Sequence, residues 1–183
     1  MRVIAIPDPS LVVLVGPAGS GKSTFAARHF APDEVLSSDA YRALLSGDEA
    51  DQRVTRTAFA ILHREVVRRL AAGRLVVVDA TNVERHARRA LVERASAAGV
   101  PSIAIVLALP ASVVLTRNAA RRGRVVDSSV IDRHLERLGR ALGEGEVAGD
   151  IGGEGFAAVH VLRTAPEIDG AVVKRADLGD TSA

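Results

Sequence analysis

The run Gly16-Pro17-Ala18-Gly19-Ser20-Gly21-Lys22-Ser23, with Thr24 directly after it, follows the spacing G-x-x-x-x-G-K-[ST]. Glycines in such a run let successive backbone N–H groups turn toward an anion, and a helix opening at the lysine adds its positive end. A lysine and a hydroxyl side by side suit a nucleoside triphosphate. Lys22 reaches its β- and γ-phosphates, and the Ser23 hydroxyl holds Mg²⁺. The chain has 22 arginines and only two lysines, Lys22 and Lys174. Lysine at position 22 of so arginine-biased a chain marks a place that needs a compact ammonium and not a planar fork. The bland alternative is a chance glycine-rich turn. Against it stand the apolar run at 11–15 before the loop and the helical stretch at 24–30 after it, the context a P-loop requires.

Other residue types that could do chemistry follow at intervals. Asp39 comes just after a short strand candidate, and Arg42 falls on the same side of one helical turn. An acid so placed can accept the proton of an attacking hydroxyl while the arginine steadies an anionic group. The alternative is a helix N-cap beside a surface arginine. Asp79 ends a valine-rich run in the position of a Walker B acid, suited to orienting Mg²⁺ through its waters, though many strands end in an acid without that role. Thr81 and Asn82 either bind acceptor, phosphate or water, or cap the helix that begins after them. Arg117, Arg121, Arg122 and Arg124 gather at a glycine-broken turn, as in a lid that carries charge over a triphosphate and excludes water. A solvated basic face is the alternative there. Arg85, Arg88 and Arg89 share a helical face read as solvated. The five histidines show no metal-ligand spacing.

The elements that must position these groups alternate. Residues 2–6 read as a short edge strand stopped by Pro7 and Pro9. Strand candidates follow at 11–15, 34–37, 75–79 and 102–109, with 157–162 as the last. Helices are expected over 24–30, 40–45, 51–72, 83–98, 110–121 and from the cap Asp127-Ser128-Ser129 to position 142. The segment 143–155 holds six glycines and reads as loop. The tail after Asp177 is expected to be disordered. The pattern is α/β: a parallel central sheet with helices on both faces. One domain spans 1–183, with an arginine-bearing helical lid over about 117–142. Active sites in such sheets lie at the carboxyl ends of the strands, where the glycine loop, Asp39, Asp79 and Thr81 all fall.

Composition narrows the function. A formal net charge of +2 makes any nucleic acid contact a local patch and not a global field. Aromatics at 3% with no tryptophan argue against an extended base-stacking platform. No apolar stretch approaches membrane-helix length, and no secretory pattern opens the chain. With no cysteine there are no disulfides and no thiolate metal sites, which fits a cytoplasmic protein.

Taken in order, these motifs resemble the polynucleotide 5′-kinase domain of the bacterial polynucleotide kinase–phosphatase, the end-healing part of an RNA repair enzyme. The likeness runs through 16–25, Ser37-Ser38-Asp39-Ala40-Tyr41-Arg42, Asp48-Glu49-Ala50-Asp51-Gln52 and Val77-Val78-Asp79-Ala80-Thr81-Asn82. It continues through Arg117-Asn118, Arg121 and Arg124 to Glu154-Gly155-Phe156, covering about 4–166. The glycine loop is shared by hundreds of families, and an acid–arginine pair after the second strand also occurs in small-molecule kinases. The ordered set is the distinctive feature.

The resemblance implies transfer of the γ-phosphate of ATP, with Mg²⁺, to the 5′-hydroxyl end of RNA or DNA. It makes Asp39 the general base and sets Arg42 on the acceptor's 3′-phosphate. It assigns the donor phosphates to Lys22, Arg117 and Arg121, the metal to Ser23, and a further lid contact near adenine to Arg124. In that family phosphatase and ligase modules follow the kinase. Here a stand-alone kinase with separate phosphatase and ligase partners, or a homo-oligomer, stands beside an excised domain. Two other readings remain open: a P-loop kinase of a sugar, antibiotic or nucleotide, and a nucleotide-binding switch without transferase activity.

Overall fold

The computed structural model describes residues 2–121, 125–143 and 149–177. After β1 (Arg2–Asp8), strands β2 (Leu11–Val15), β3 (Val35–Ser37), β4 (Val76–Asp79), β5 (Ser102–Leu107) and β6 (Ala158–Leu162) follow in chain order. The last five form one parallel sheet in the order β3-β4-β2-β5-β6. In its centre Val13 lies opposite Val78 on one side and Ala104 on the other. Every residue of β2, β4 and β5 is buried. Strands covered on both faces need continuous apolar runs, which is why these segments read as Val/Ile/Leu blocks without alternation.

The period of two along β2 sorts the core into two layers. Leu11, Val13 and Val15 pack with Leu62, Val66 and Leu70 of α3 (Thr55–Ala71) and with Leu91 and Ala95 of α4 (Arg85–Ala97). Val12 and Leu14 pack on the opposite face with Phe25 of α1 (Lys22–His29), Val114 of α5 (Ala111–Ala119) and Ile131 of α6 (Ser128–Leu142). The latter helix reaches both layers, since its Leu138 and Leu142 lie in the first. Between β3 and α3 come α2 (Ser38–Ser46) and a 3-10 turn at Gln52–Val54.

Several expectations are corrected. The first strand runs through Pro7 to Asp8 and does not edge the central sheet. It pairs in parallel with β7 (Ala171–Asp177), a strand beyond the one expected to be last. Ile4 and Ile6 are fully buried on the second core layer while Val3 is 45% exposed, so the alternation was real but its partner lay elsewhere. The glycine-rich 143–155 segment is not all loop. It contains α7 (Gly149–Gly152), whose Ile151 is fully buried, followed by buried Phe156. A short helix α8 (Ala165–Asp169), capped by Thr164, leads into β7. The tail after 177 lies outside the described residues.

Candidate active site

Four strand ends deliver side chains to one cleft of about 820 Å³. The glycine loop leaves β2 at the centre of the sheet. Gly19 has φ 84, and a Cβ there would sit 2.8 Å from the Val114 carbonyl oxygen. Gly21 has φ 97 and forms the left-handed entry to α1, whose first residue is Lys22. Side chains at either position would strain the turn that aims the loop's N–H groups at the cleft. Lys22 is buried, and its Nζ donates to the carbonyls of Gly16 at 2.8 Å and Pro17 at 2.9 Å. Ser23 and Thr24 line the cleft at the helix N-terminus, as do Ala18 and Gly19. Gly16, Pro17 and Ser20 lie beneath it, buried. The Ser20 hydroxyl has no hydrogen-bond partner among the described residues.

The end of β3 brings in the acid–arginine pair. Ser37 caps α2, accepting from the Ala40 N–H at 3.4 Å, so Asp39 sits in the first turn and is not the N-cap. Arg42 is not a surface residue either. It is 5% exposed, donates to the Glu49 carbonyl at 2.7 Å, and pairs with the Asp39 carboxylate. Both line the cleft, with Gln52, Thr55 and Phe59 on the same side. At the end of β4, Asp79 is 6% exposed on the cleft floor, and Thr81 follows it into the lining.

Asn82 departs from its expected place. It is 4% exposed, has φ 48 and donates through Nδ2 to the Leu14 carbonyl at 2.8 Å; it does not line the cleft. Neither it nor Thr81 caps α4, whose N-cap is Glu84.

A further wall carries Arg117 on α5 and Arg121 just past its end, both exposed and both lining the cleft, with the Arg117 guanidinium against the glycine loop, 3.6 Å from where a Gly21 Cβ would sit. Arg122 and Arg124 lie outside the described residues. Two residues that sequence reasoning passed over shape this wall. Asn118, 4% exposed, donates to the Val126 carbonyl at 2.7 Å and accepts from the Val126 N–H at 3.0 Å, so one amide clamps the two ends of the turn. His134 of α6 lines the cleft; burial first, then the positive charge of Lys22, holds its imidazole below the usual 6.5. The second arginine cluster also splits. Arg85 and Arg89 are exposed, but Arg88 is 1% exposed and paired with buried Glu154, so its face is not solvated.

This cleft suits a triphosphate. Its lining includes a glycine cradle, a lysine and a hydroxyl at a helix N-terminus, a buried strand-end carboxylate, and two arginines. No group of three or more metal-ligating side chains occurs among the described residues. No helix among the described residues is long and apolar enough to cross a membrane.

Among solved structures, similarity to a chain of the Pnkp1/Rnl/Hen1 RNA repair complex has a TM-score of 0.61 at 24% identity, over 73% of this chain and 45% of that one. The protein thus spans less than half the length of that chain. A gluconokinase from Sinorhizobium meliloti 1021 gives 0.52 at 22% identity, over 90% of this chain and 87% of that one. A sugar kinase from Janibacter sp. HTCC2649 gives 0.55 at 22% identity, over 87% and 88%. The α/β architecture, a five-stranded parallel sheet flanked by helices, is that of the P-loop kinases. The curated proteins provide no match to the sequence. The family model AAA_33, described as an AAA domain, matches residues 11–142. That span, from the start of β2 to the end of α6, takes in both cleft walls, and the chain belongs to this family.

Proposed function

We propose that the protein is a phosphotransferase that moves the γ-phosphate of ATP to a hydroxyl, and that the acceptor is the 5′-hydroxyl end of a polynucleotide. The observation that carries the reading is the Asp39–Arg42 pair opening on the same cleft as Lys22, Arg117 and Arg121. A site for hydrolysis or switching needs no acid–arginine pair on its acceptor side.

In this reading Lys22 exchanges its two carbonyl partners for donor phosphate oxygens. Arg117 and Arg121 close over the same phosphates, supplying charge where it spreads in the transition state and excluding water. Mg²⁺, held by the Ser23 hydroxyl with Asp79 acting through its waters, would neutralise charge on the donor phosphates. Asp39 accepts the proton of the incoming hydroxyl, oriented for in-line attack by Arg42. Arg42 also faces the phosphate on the acceptor's 3′ side, and Thr81 steadies the acceptor from the floor. A 5′-OH end is favoured because a buried arginine beside the base gives a place for that adjoining phosphate, which a simple sugar lacks.

A small-molecule acceptor is the second reading, favoured by the extent of similarity to the gluconokinase and the sugar kinase, which covers nearly the whole of each chain. Incubation with labelled ATP, a 5′-OH oligonucleotide and a panel of sugars and nucleosides separates the two. Label on the oligonucleotide is expected. Label on a small alcohol alone would remove the polynucleotide assignment, and ATP binding without transfer to any acceptor would remove both.

A further inference from the structure

Away from the cleft lining, the most enclosed ion pair among the described residues joins Arg88 on α4 to Glu154, 66 residues later. The two side chains are 1% and 0% exposed. The pair is bidentate, with Nε to Oε2 at 2.7 Å and Nη2 to Oε1 at 2.6 Å. The third guanidinium nitrogen turns the other way. Nη1 donates to the carbonyls of Asn82 at 3.0 Å and Val83 at 2.7 Å.

Those two carbonyls belong to the link between β4 and α4, which supplies Thr81 to the cleft. The link is pinned from both sides. The Gly16 N–H donates to the Thr81 carbonyl at 2.9 Å, tying it to the glycine loop. Asn82 takes the left-handed conformation and reaches Leu14 of β2 with its side chain. A non-glycine residue at positive φ persists only where its surroundings hold it. Arg88 completes that hold from the α4 side through the Asn82 and Val83 carbonyls, where the N-cap Glu84 makes no side-chain cap bond.

Buried ion pairs are poor stabilisers: replacing both members with apolar groups is often neutral, since the desolvation of two charges offsets their attraction. Reaching both carbonyls while staying paired with Glu154 occupies all three guanidinium nitrogens at once, which an ammonium cannot match. We infer that Arg88, itself fixed by Glu154, is a positioning residue that acts through Asn82 to set Thr81 against the acceptor. The inference rests on the kinase reading above. It assigns the C-terminal segment around Glu154 a role in aligning a site it does not touch.

The test compares wild type with the double apolar variant Arg88→Met/Glu154→Leu and with Glu154→Gln. The double variant is expected to melt close to wild type. Its kcat/KM for the acceptor should fall on the order of 10- to 100-fold while ATP affinity stays within about twofold. Glu154→Gln, which keeps a hydrogen-bond acceptor on Arg88, should recover most of that loss. Wild-type acceptor kinetics in the folded double variant would overturn the inference, as would an equal loss of ATP affinity. A second measurement needs neither turnover nor the double variant's folding. The ¹³C-methyl resonance of Thr81 and amide exchange at Asn82 and Val83 should change in Arg88→Lys, which keeps a charge on Glu154 but cannot reach both carbonyls as well, and stay near wild type in Glu154→Gln; unchanged signals in Arg88→Lys would also overturn it. If wild type transfers phosphate to no acceptor, the kinase reading fails while the Thr81 resonance still reports on the positioning.

Discussion

Asp39 stands one turn before Arg42 on α2, and the two members of the pair meet solvent unequally: the carboxylate side chain is 33% exposed and the guanidinium 6%. The cation is anchored in the protein and the acid faces the space where a substrate would enter. This is the polarity a general base requires, because the group that must gain and lose a proton is the accessible one.

Asp39→Asn keeps the shape and removes the basicity. Transfer should fall by about 10²- to 10⁴-fold, with ATP affinity unchanged by calorimetry. Retained transfer would end the assignment of Asp39 as base. Arg42→Ala should cost both activity and stability, since it removes the donor to the Glu49 carbonyl and the cation paired with Asp39.

Lys22→Ala removes the single ammonium of the cleft and should lower kcat by about 10²- to 10³-fold. Lys22→Arg is not expected to rescue it, because the planar fork needs more room than the enclosed point charge. Single-turnover transfer rates at saturating ATP check both variants, and full activity in Lys22→Arg would show that charge alone suffices.

Asn118 offers a test of the arginine wall that touches no arginine. Asn118→Ala removes both hydrogen bonds to the half-buried Val126 backbone, a loss of about 1 kcal/mol. Chemical denaturation should register it. If the clamp also sets where Arg121 points, kcat should drop more than the loss of stability accounts for. Arg117→Ala and Arg121→Ala should each slow transfer without lowering the melting temperature, both side chains being exposed.

The histidines predict how the fold responds to acid. His29, His63, His134 and His160 each bury a ring nitrogen without a partner among the described residues. Burial is the first cause that lowers all four below 6.5. The unfolded chain takes up these protons as pH drops through the usual value, and the folded protein does so only further down. The stability is therefore complete above the usual value and lost as pH falls through the lowered ones. The melting temperature should decline from about pH 7 to about pH 5, and His63→Gln with His160→Gln should flatten the decline. A flat wild-type profile would contradict this account.

The glycine loop was legible because its spacing encodes backbone conformation, Asp79 because it directly follows an apolar run, and Asp39 because it comes just past a short strand candidate, three residues before Arg42. What packs against a helix is not written in the helix. Arg88 shares a face with Arg85 and Arg89, and only Glu154, distant in sequence, makes it a core residue. Asn82 was misplaced for a related reason. Its type suits ligands and caps equally, and a left-handed backbone turned its amide toward Leu14. In β7, Lys174 and Arg175 mask an edge strand that buries little. The helix before it carried a signal that went unused: Thr164-Ala165-Pro166-Glu167 combines an N-cap with proline in the first turn.

The pairing of β1 with β7 bears on how the protein is made. Arg2 and Ala171 are neighbours in the same two-stranded sheet. Ile4 and Ile6 lie opposite Val173 and Arg175, so the whole central sheet falls between the two strands in the chain. The central sheet can assemble as its strands appear, but closure of the second core layer waits until β7 has followed them. Contacts of such long sequence separation form late and slowly. Until then the first strand is an exposed edge with two isoleucines on it, and that interval is when the nascent chain is most open to mispairing.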